Sequence, residues 1–300
     1  MSKPIVVGID PLAPRPEPFV LGTALARLSG APLIVAGAFL HDRLTDAVSG
    51  GLVERDLRDH AASELAKIVG DSTAEVVIAG GPSGSRVLHD LAVERDAGLI
   101  VVGSSRRGPI GRISPGSTAE RLLHGATCPV AVAPNGLDEQ WSLTKVGAGY
   151  IELDEGRTAL QAAVALARAA GAELDVVTTV APFEWSHSAV IEPYHRRAGD
   201  AAAKEAAKEQ LQRALDELGL TPPPHGAVVI GDPVDVLVDL STRVDLVVCG
   251  SRGYGPIQSV LLGGVSHGLL RDSHAPVVVV PRGAGEAMTE LLAGSEAVGS

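Results

Sequence analysis

One segment of this chain occurs twice: VVGSSRRGPIGRISPGSTAERLLHGATCPVAVAP at 101–134 and VVCGSRGYGPIQSVLLGGVSHGLLRDSHAPVVVVPR at 247–282. Gly103, Gly108, Gly116 and Ser117 recur as Gly250, Gly255, Gly263 and Gly264, each 147 residues later. A constant offset over such a stretch means that one strand, glycine loop, helix and strand were built twice, so two related domains are expected. The 300 residues suffice for two compact units, about 150 residues each, every unit able to bury its own core. With 45% hydrophobic residues and 3% aromatics, those cores are expected to be Val, Leu, Ala and Ile.

Periodicity orders the rest. In the first copy, apolar unalternating runs at 5–9, 32–38, 75–79, 98–102 and 129–133 read as strands, with helices at 17–29, 53–70, 83–96 and 116–125 between them. The second copy repeats this with strands at 144–148, 173–180, 226–230, 245–249 and 276–280 and helices at 155–170, 196–218, 233–243 and 264–272. Strands of this kind alternating with helices mark a parallel sheet covered on both faces. The expected fold is therefore α/β, two tandem five-stranded and mostly parallel sheets, with domains at 1–139 and 140–300. The linker is PNGLDEQWSL at 134–143, where Trp141 is expected to pack on a domain surface. The tail from Gly283 reads as one turn or a frayed end. As sheet edges, the apolar strands 129–133 and 276–280 invite pairing with each other inside the chain, and the Val-rich 277–280 edge also suggests a homodimer.

In such sheets ligands sit at the carboxyl ends of strands, where both glycine loops fall. Gly250, Gly253 and Gly255 permit tight turning and close approach of backbone to a ligand. Gly263 and Gly264 open a helix whose first N–H groups are free and whose dipole favours an anion. The loops are not GxxxxGK[ST], since no lysine follows the glycines, and the stretches after the first strands, GIDPLA and GAGYIE, are not GxGxxG. A plainer reading stands beside the phosphate one: Gly116-Ser117 caps the last helix, with Ser117 or Ser114 accepting backbone N–H groups.

The spacing G-x2-G-x9-G, a small residue, a helix and an A-x-x-P-V strand resemble the universal stress protein family in its tandem class. Gly250, Gly253, Gly263 and Ala275-Pro276-Val277 carry the likeness in copy two, and Gly103, Gly116, Ser117 and Cys128-Pro129-Val130 in copy one. The resemblance implies a five-stranded domain of the adenine nucleotide alpha hydrolase-like type, ATP bound in that loop, with or without magnesium, and dimerisation. It also implies that the carboxylate closing strand one, here Asp10, contacts the adenine end, and that Gly149 stands in its place in copy two. Thr118 follows Ser117 in copy one, and Val265 and Ser266 follow Gly264 in copy two. Arg106 occupies the place of Gly253. It can reach over a triphosphate with several donors, or its β-carbon can close the cradle.

No dedicated catalytic set emerges. The histidines are scattered, Asp10 has no second carboxylate in its loop, and HExxH and cysteine clusters are absent from the sequence. Three functions remain in view: a nucleotide-binding stress regulator without strong turnover, an interaction scaffold with degenerate loops, and a weak ATP hydrolase using Asp10 with a metal. The net charge of −11 argues against nucleic acid or anionic membrane as the general partner. MSKPIVVGID reads as a first strand rather than a signal peptide, and no apolar run is long enough to span a bilayer, so cytoplasm is the expected compartment. Cys128 and Cys249 each lie on or beside an apolar strand in different copies and read as packing residues.

Overall fold

The computed structural model describes residues 2–40, 52–105, 108–181, 193–251 and 264–293. Copy one runs β1 (Ile5–Ile9), α1 (Glu17–Ser29), β2 (Leu33–Leu40), α2 (Leu52–Val69), β3 (Glu75–Gly81), α3 (Gly84–Glu94), β4 (Leu99–Gly103), α4 (Ser117–Leu123) and β5 (Val130–Ala133). Copy two runs β6 (Lys145–Tyr150), α5 (Asp154–Ala170), β7 (Glu173–Val180), α6 (Pro193–Glu217), β8 (His225–Ile230), α7 (Pro233–Ser241), β9 (Leu246–Gly250), α8 (Gly264–Asp272) and β10 (Val277–Val280). A further helix, α9 (Gly285–Ala293), follows where the sequence suggested at most a turn. Its Met288, Leu291 and Leu292 are buried, so tertiary packing supplies what two and a half turns of propensity do not.

The two five-stranded sheets join into one, in the order β3-β2-β1-β4-β5-β10-β9-β6-β7-β8. Within each half the strands are parallel, and β10 meets β5 antiparallel with Val278 opposite Ala131. The two terminal strands thus pair inside the chain, as expected from their apolar edges.

Alternation along each strand sends side chains to two apolar layers. Ile5, Val7 and Val101 join α1, α2, α5, α6 and α9 on one face, while Val6, Ile100 and Val102 join α3, α4, α7 and α8 on the other. Each layer draws side chains from both copies, so the seam is core rather than surface. Trp141 packs partly buried against the first layer, as the linker reading expects.

Strand pairing also fixes which residues of the copies correspond. Ile5 pairs with Leu99 just as Val146 pairs with Leu246, so Gly8 matches Gly149 and Asp10 matches Ile151. The residue standing where copy two would carry the carboxylate is therefore Ile151, not Gly149. Two insertions and deletions between strand one and the glycine loop hide this from the constant offset of the later segment.

Candidate functional site

Strand order reverses between β1 and β4, and β1 and β4 end side by side there. Neighbouring parallel strands whose connections leave toward opposite faces open a crevice at their carboxyl ends. In copy one this crevice is a cleft of about 530 Å³ lined by Asp10, Gly103, Gly116, Ser117 and Thr118 among others. Five of the residues singled out in the sequence are thus brought together. Arg106, Gly253, Gly255 and Gly263 lie outside the described residues.

Asp10 ends its strand in a turn: its carboxylate accepts the Leu12 N–H at 2.9 Å and its carbonyl the Ala13 N–H at 3.1 Å. Gly103 has a packing task as well, because a β-carbon there would lie 2.9 Å from Pro18 Cγ at the start of α1. Gly250 does the same in copy two, 3.0 Å from the Glu155 carbonyl oxygen. Gly116 is the N-cap of α4 and no side chain caps that helix, so the capping role considered for Ser117 and Ser114 is not what the fold uses.

The loop from Ser104 to Gly116 is tied down locally. Ser104 Oγ donates to the Ala133 carbonyl at 2.9 Å, and Ser105 N–H donates to the Ser114 carbonyl at 2.5 Å. Asn135, 2% exposed, donates from Nδ2 to the carbonyls of Ser105 and Gly108 and accepts Gly111 N–H at 2.8 Å. Gly111 takes φ +75°, a left-handed turn that a β-carbon would strain. Next to Asn135, Gly136 N–H donates to Glu17 Oε1 at 2.8 Å, so the buried carboxylate at the start of α1 clasps the end of β5.

The lining supplies chemistry that motif reading missed. Ser83, Ser85, Ser104 and Ser105 bring hydroxyls, and Arg15 and Arg121 bring guanidinium groups, to the same cleft as Asp10. Hydroxyl, guanidinium and helix-start N–H donors suit an anion, and a carboxylate suits a hydrogen-bond donor, which is the complement of a phosphorylated base. Among the described residues no group of three His, Cys, Asp or Glu side chains could hold a metal ion on its own.

Copy two is built differently at the same place. Ser266 Oγ donates to the Gly250 carbonyl at 2.7 Å and the residue is 3% exposed, so this hydroxyl serves the strand end. Gly264 begins α8 and Val265 has no hydroxyl to offer. Helix α5 starts only three residues after β6, whereas seven separate α1 from β1. Beyond Ile151, Tyr150 and Arg157 both hydrogen-bond Glu152, and Arg157 also reaches Glu217 at 3.0 Å. Burial and the Glu152 bond push the Tyr150 hydroxyl above its ordinary range, while the Tyr150 bond, followed by Arg157, holds Glu152 below its own. This is an ion-paired crust over copy two.

Fold and cleft together define a tandem α/β protein whose candidate site lies at a topological switch point. The family comparison agrees in both halves: the universal stress protein family matches residues 1–134 and again 144–281. The chain belongs to the universal stress protein family. A universal stress protein of Mycobacterium tuberculosis is 32% identical over 193 residues, 62% of this chain and 63% of that protein. A second one from the same organism is 28% identical over 201 residues, 65% of this chain and 68% of the other. The aligned part thus spans less than two thirds of the first relative's length. Among solved structures, a putative universal stress protein from Pseudomonas aeruginosa aligns with TM-score 0.64 at 16% identity, covering 98% of each chain. One from Archaeoglobus fulgidus aligns with TM-score 0.64 at 18% identity, covering 94% of this chain and all of the other. At these identities the structures speak to fold alone. Among the described residues no helix is long and apolar enough to cross a membrane.

Proposed function

We propose that this chain is a nucleotide-binding stress-response regulator in which copy one holds an adenine nucleotide, ATP with or without magnesium, and copy two does not. The observation that carries this is the convergence of Asp10, Gly103 and Gly116–Thr118 on one cleft that also presents Ser83, Ser85, Arg15 and Arg121. A volume of about 530 Å³ lies in the range of small-molecule sites. Asp10 would face the base and the Ser104–Thr118 segment the phosphates; when bound, magnesium would add charge neutralisation at the phosphates. Copy two supports the asymmetry, since Ile151 stands at the Asp10 position and Ser266 is committed to Gly250. The boundary between the two units is placed at 139/140, inside the connector from β5 to β6. Turnover is not part of the proposal, and a cytoplasmic setting accompanies it.

The test is to denature freshly purified protein and identify released nucleotide by chromatography and mass spectrometry, then titrate emptied protein with ATP and magnesium. About one adenine nucleotide per chain is expected. Two per chain would overturn the asymmetry, and none, either released or taken up, would overturn nucleotide binding and leave an interaction scaffold.

A further inference from the structure

The cleft belongs to copy one, yet its loop does not stand on copy one alone. Ile113 N–H donates to the Ser273 carbonyl of copy two at 2.7 Å, and Arg112 Nε–H donates to His274 Nε2 at 3.0 Å. Ile113 and Ser273 are both fully buried, and Ile113 joins the apolar layer that contains Leu269 and Leu270 of α8. On its own side His274 is set by Ser241, whose Oγ accepts the His274 N–H at 3.0 Å, and Ser273 Oγ donates to the Ala275 carbonyl at 2.8 Å. Accepting from Arg112 requires His274 to carry its proton on Nδ1, and that buried atom has no partner among the described residues. The ring therefore keeps one polar edge unsatisfied while the other engages the loop.

From this contact the cleft is one residue away. Ser114, adjacent to Ile113, gives its N–H to Ser104 Oγ at 3.4 Å and accepts Ser105 N–H at 2.5 Å. Ser104 and Ser105 line the cleft. The chain of contacts runs from Ser273 and His274 through Arg112–Ser114 to the side of the cleft assigned to phosphate.

We propose that copy two is a positioning partner for copy one's cleft: Ser273 and His274 hold the 108–116 loop in its ligand-ready form, so that nucleotide occupancy and the docking of the two copies are coupled. The proposal rests on the nucleotide reading of copy one. Coupling of this kind is reciprocal, so a bound nucleotide must also tighten the seam. His274 does not line the cleft and cannot act by touching the ligand.

The experiment compares the full-length chain with His274→Ala, His274→Gln and Arg112→Ala variants by titration with ATP and, separately, with adenosine, which lacks phosphates. Hydrogen exchange at Gly111 and Ile113 reports on the loop. Loss of the contact is expected to weaken ATP about tenfold, within the usual span of coupling between sites, to leave adenosine within about twofold, and to speed exchange in the loop. His274→Gln, which keeps an acceptor for Arg112, is expected to restore most of the ATP affinity. The Arg112→Ala and His274→Ala effects should not add in the double variant, since both remove one interaction. If all variants bind ATP as wild type does, or if ATP and adenosine weaken together, the proposal is overturned while nucleotide binding stands. A wild-type chain that takes up neither ligand overturns the nucleotide reading, and this proposal with it.

Discussion

Asp10 uses its carboxylate to close a turn as well as to line the cleft, and the two tasks separate by substitution. Asp10→Asn keeps an oxygen for Leu12 N–H but loses the charge. A hydrogen bond to a charged group is worth about 1.5–3 kcal/mol, so the proposed ATP binding should weaken roughly tenfold or more by calorimetry, with the melting temperature lowered only slightly by the weaker Leu12 bond. Burial pushes the thiols of Cys128 and Cys249 up to about 12, so neither should react with a thiol reagent until the protein unfolds. Modification of native protein within minutes would contradict the buried placement. For Glu152 the sign follows from its lowered folded pKa: its stabilisation is present above the ordinary value of 4.5 and lost as pH falls through the lowered one. Glu152→Gln should therefore melt below wild type at neutral pH and converge with it in acid. The partly exposed, screened ion pair limits the difference to about 1 kcal/mol. Gly116 and Ser117 were singled out by the loop pattern and Asp10 by the family resemblance, each from a short local stretch, and all three line the cleft. Motif reading missed Asn135 and Glu17, whose partners lie 27 to 30 and 119 residues away in sequence.

Helices and strands were largely legible as elements, and the failures have physical causes. Helix α1 and strand β7 fall where the hydrophobic pattern placed them, since each carries a full apolar face between turn residues. Helix α9 did not announce itself, because nine residues cannot pay for a helix nucleus without a surface to bury against. That surface comes from both copies: Met288, Leu291 and Leu292 enter the layer holding Leu25 of α1 and Leu160 of α5, and Lys3 pairs with Glu290 at 3.1 Å. Met288→Ala should cost about 2–5 kcal/mol in urea unfolding, as for other fully buried large-to-small changes. A cost below about 0.5 kcal/mol, the range of neutral surface changes, would show α9 to be an ornament on the surface. Strand β6 runs two residues past its expected end, carried by pairing of Gly149 and Tyr150 with Val177 and Thr178.

Across the whole molecule, the antiparallel β5–β10 pair and the two shared apolar layers make the copies one cooperative body. Calorimetry should show a single transition whose van't Hoff and calorimetric enthalpies agree. Two resolved transitions would mean that the seam is weaker than its burial implies. The sequence by itself determined the α/β class, the duplication, the parallel order within each copy and the glycine loop, because periodicity, turn residues and fixed spacing are local properties. Only the tertiary structure decided that Ile151 matches Asp10, that Ser266 is turned inward, that one cleft gathers the hydroxyl and guanidinium groups, and that the copy-one loop rests on Ser273 and His274 of copy two. Those outcomes depend on register and on pairs of residues far apart in the chain, which become neighbours only when the buried faces of both copies close on each other.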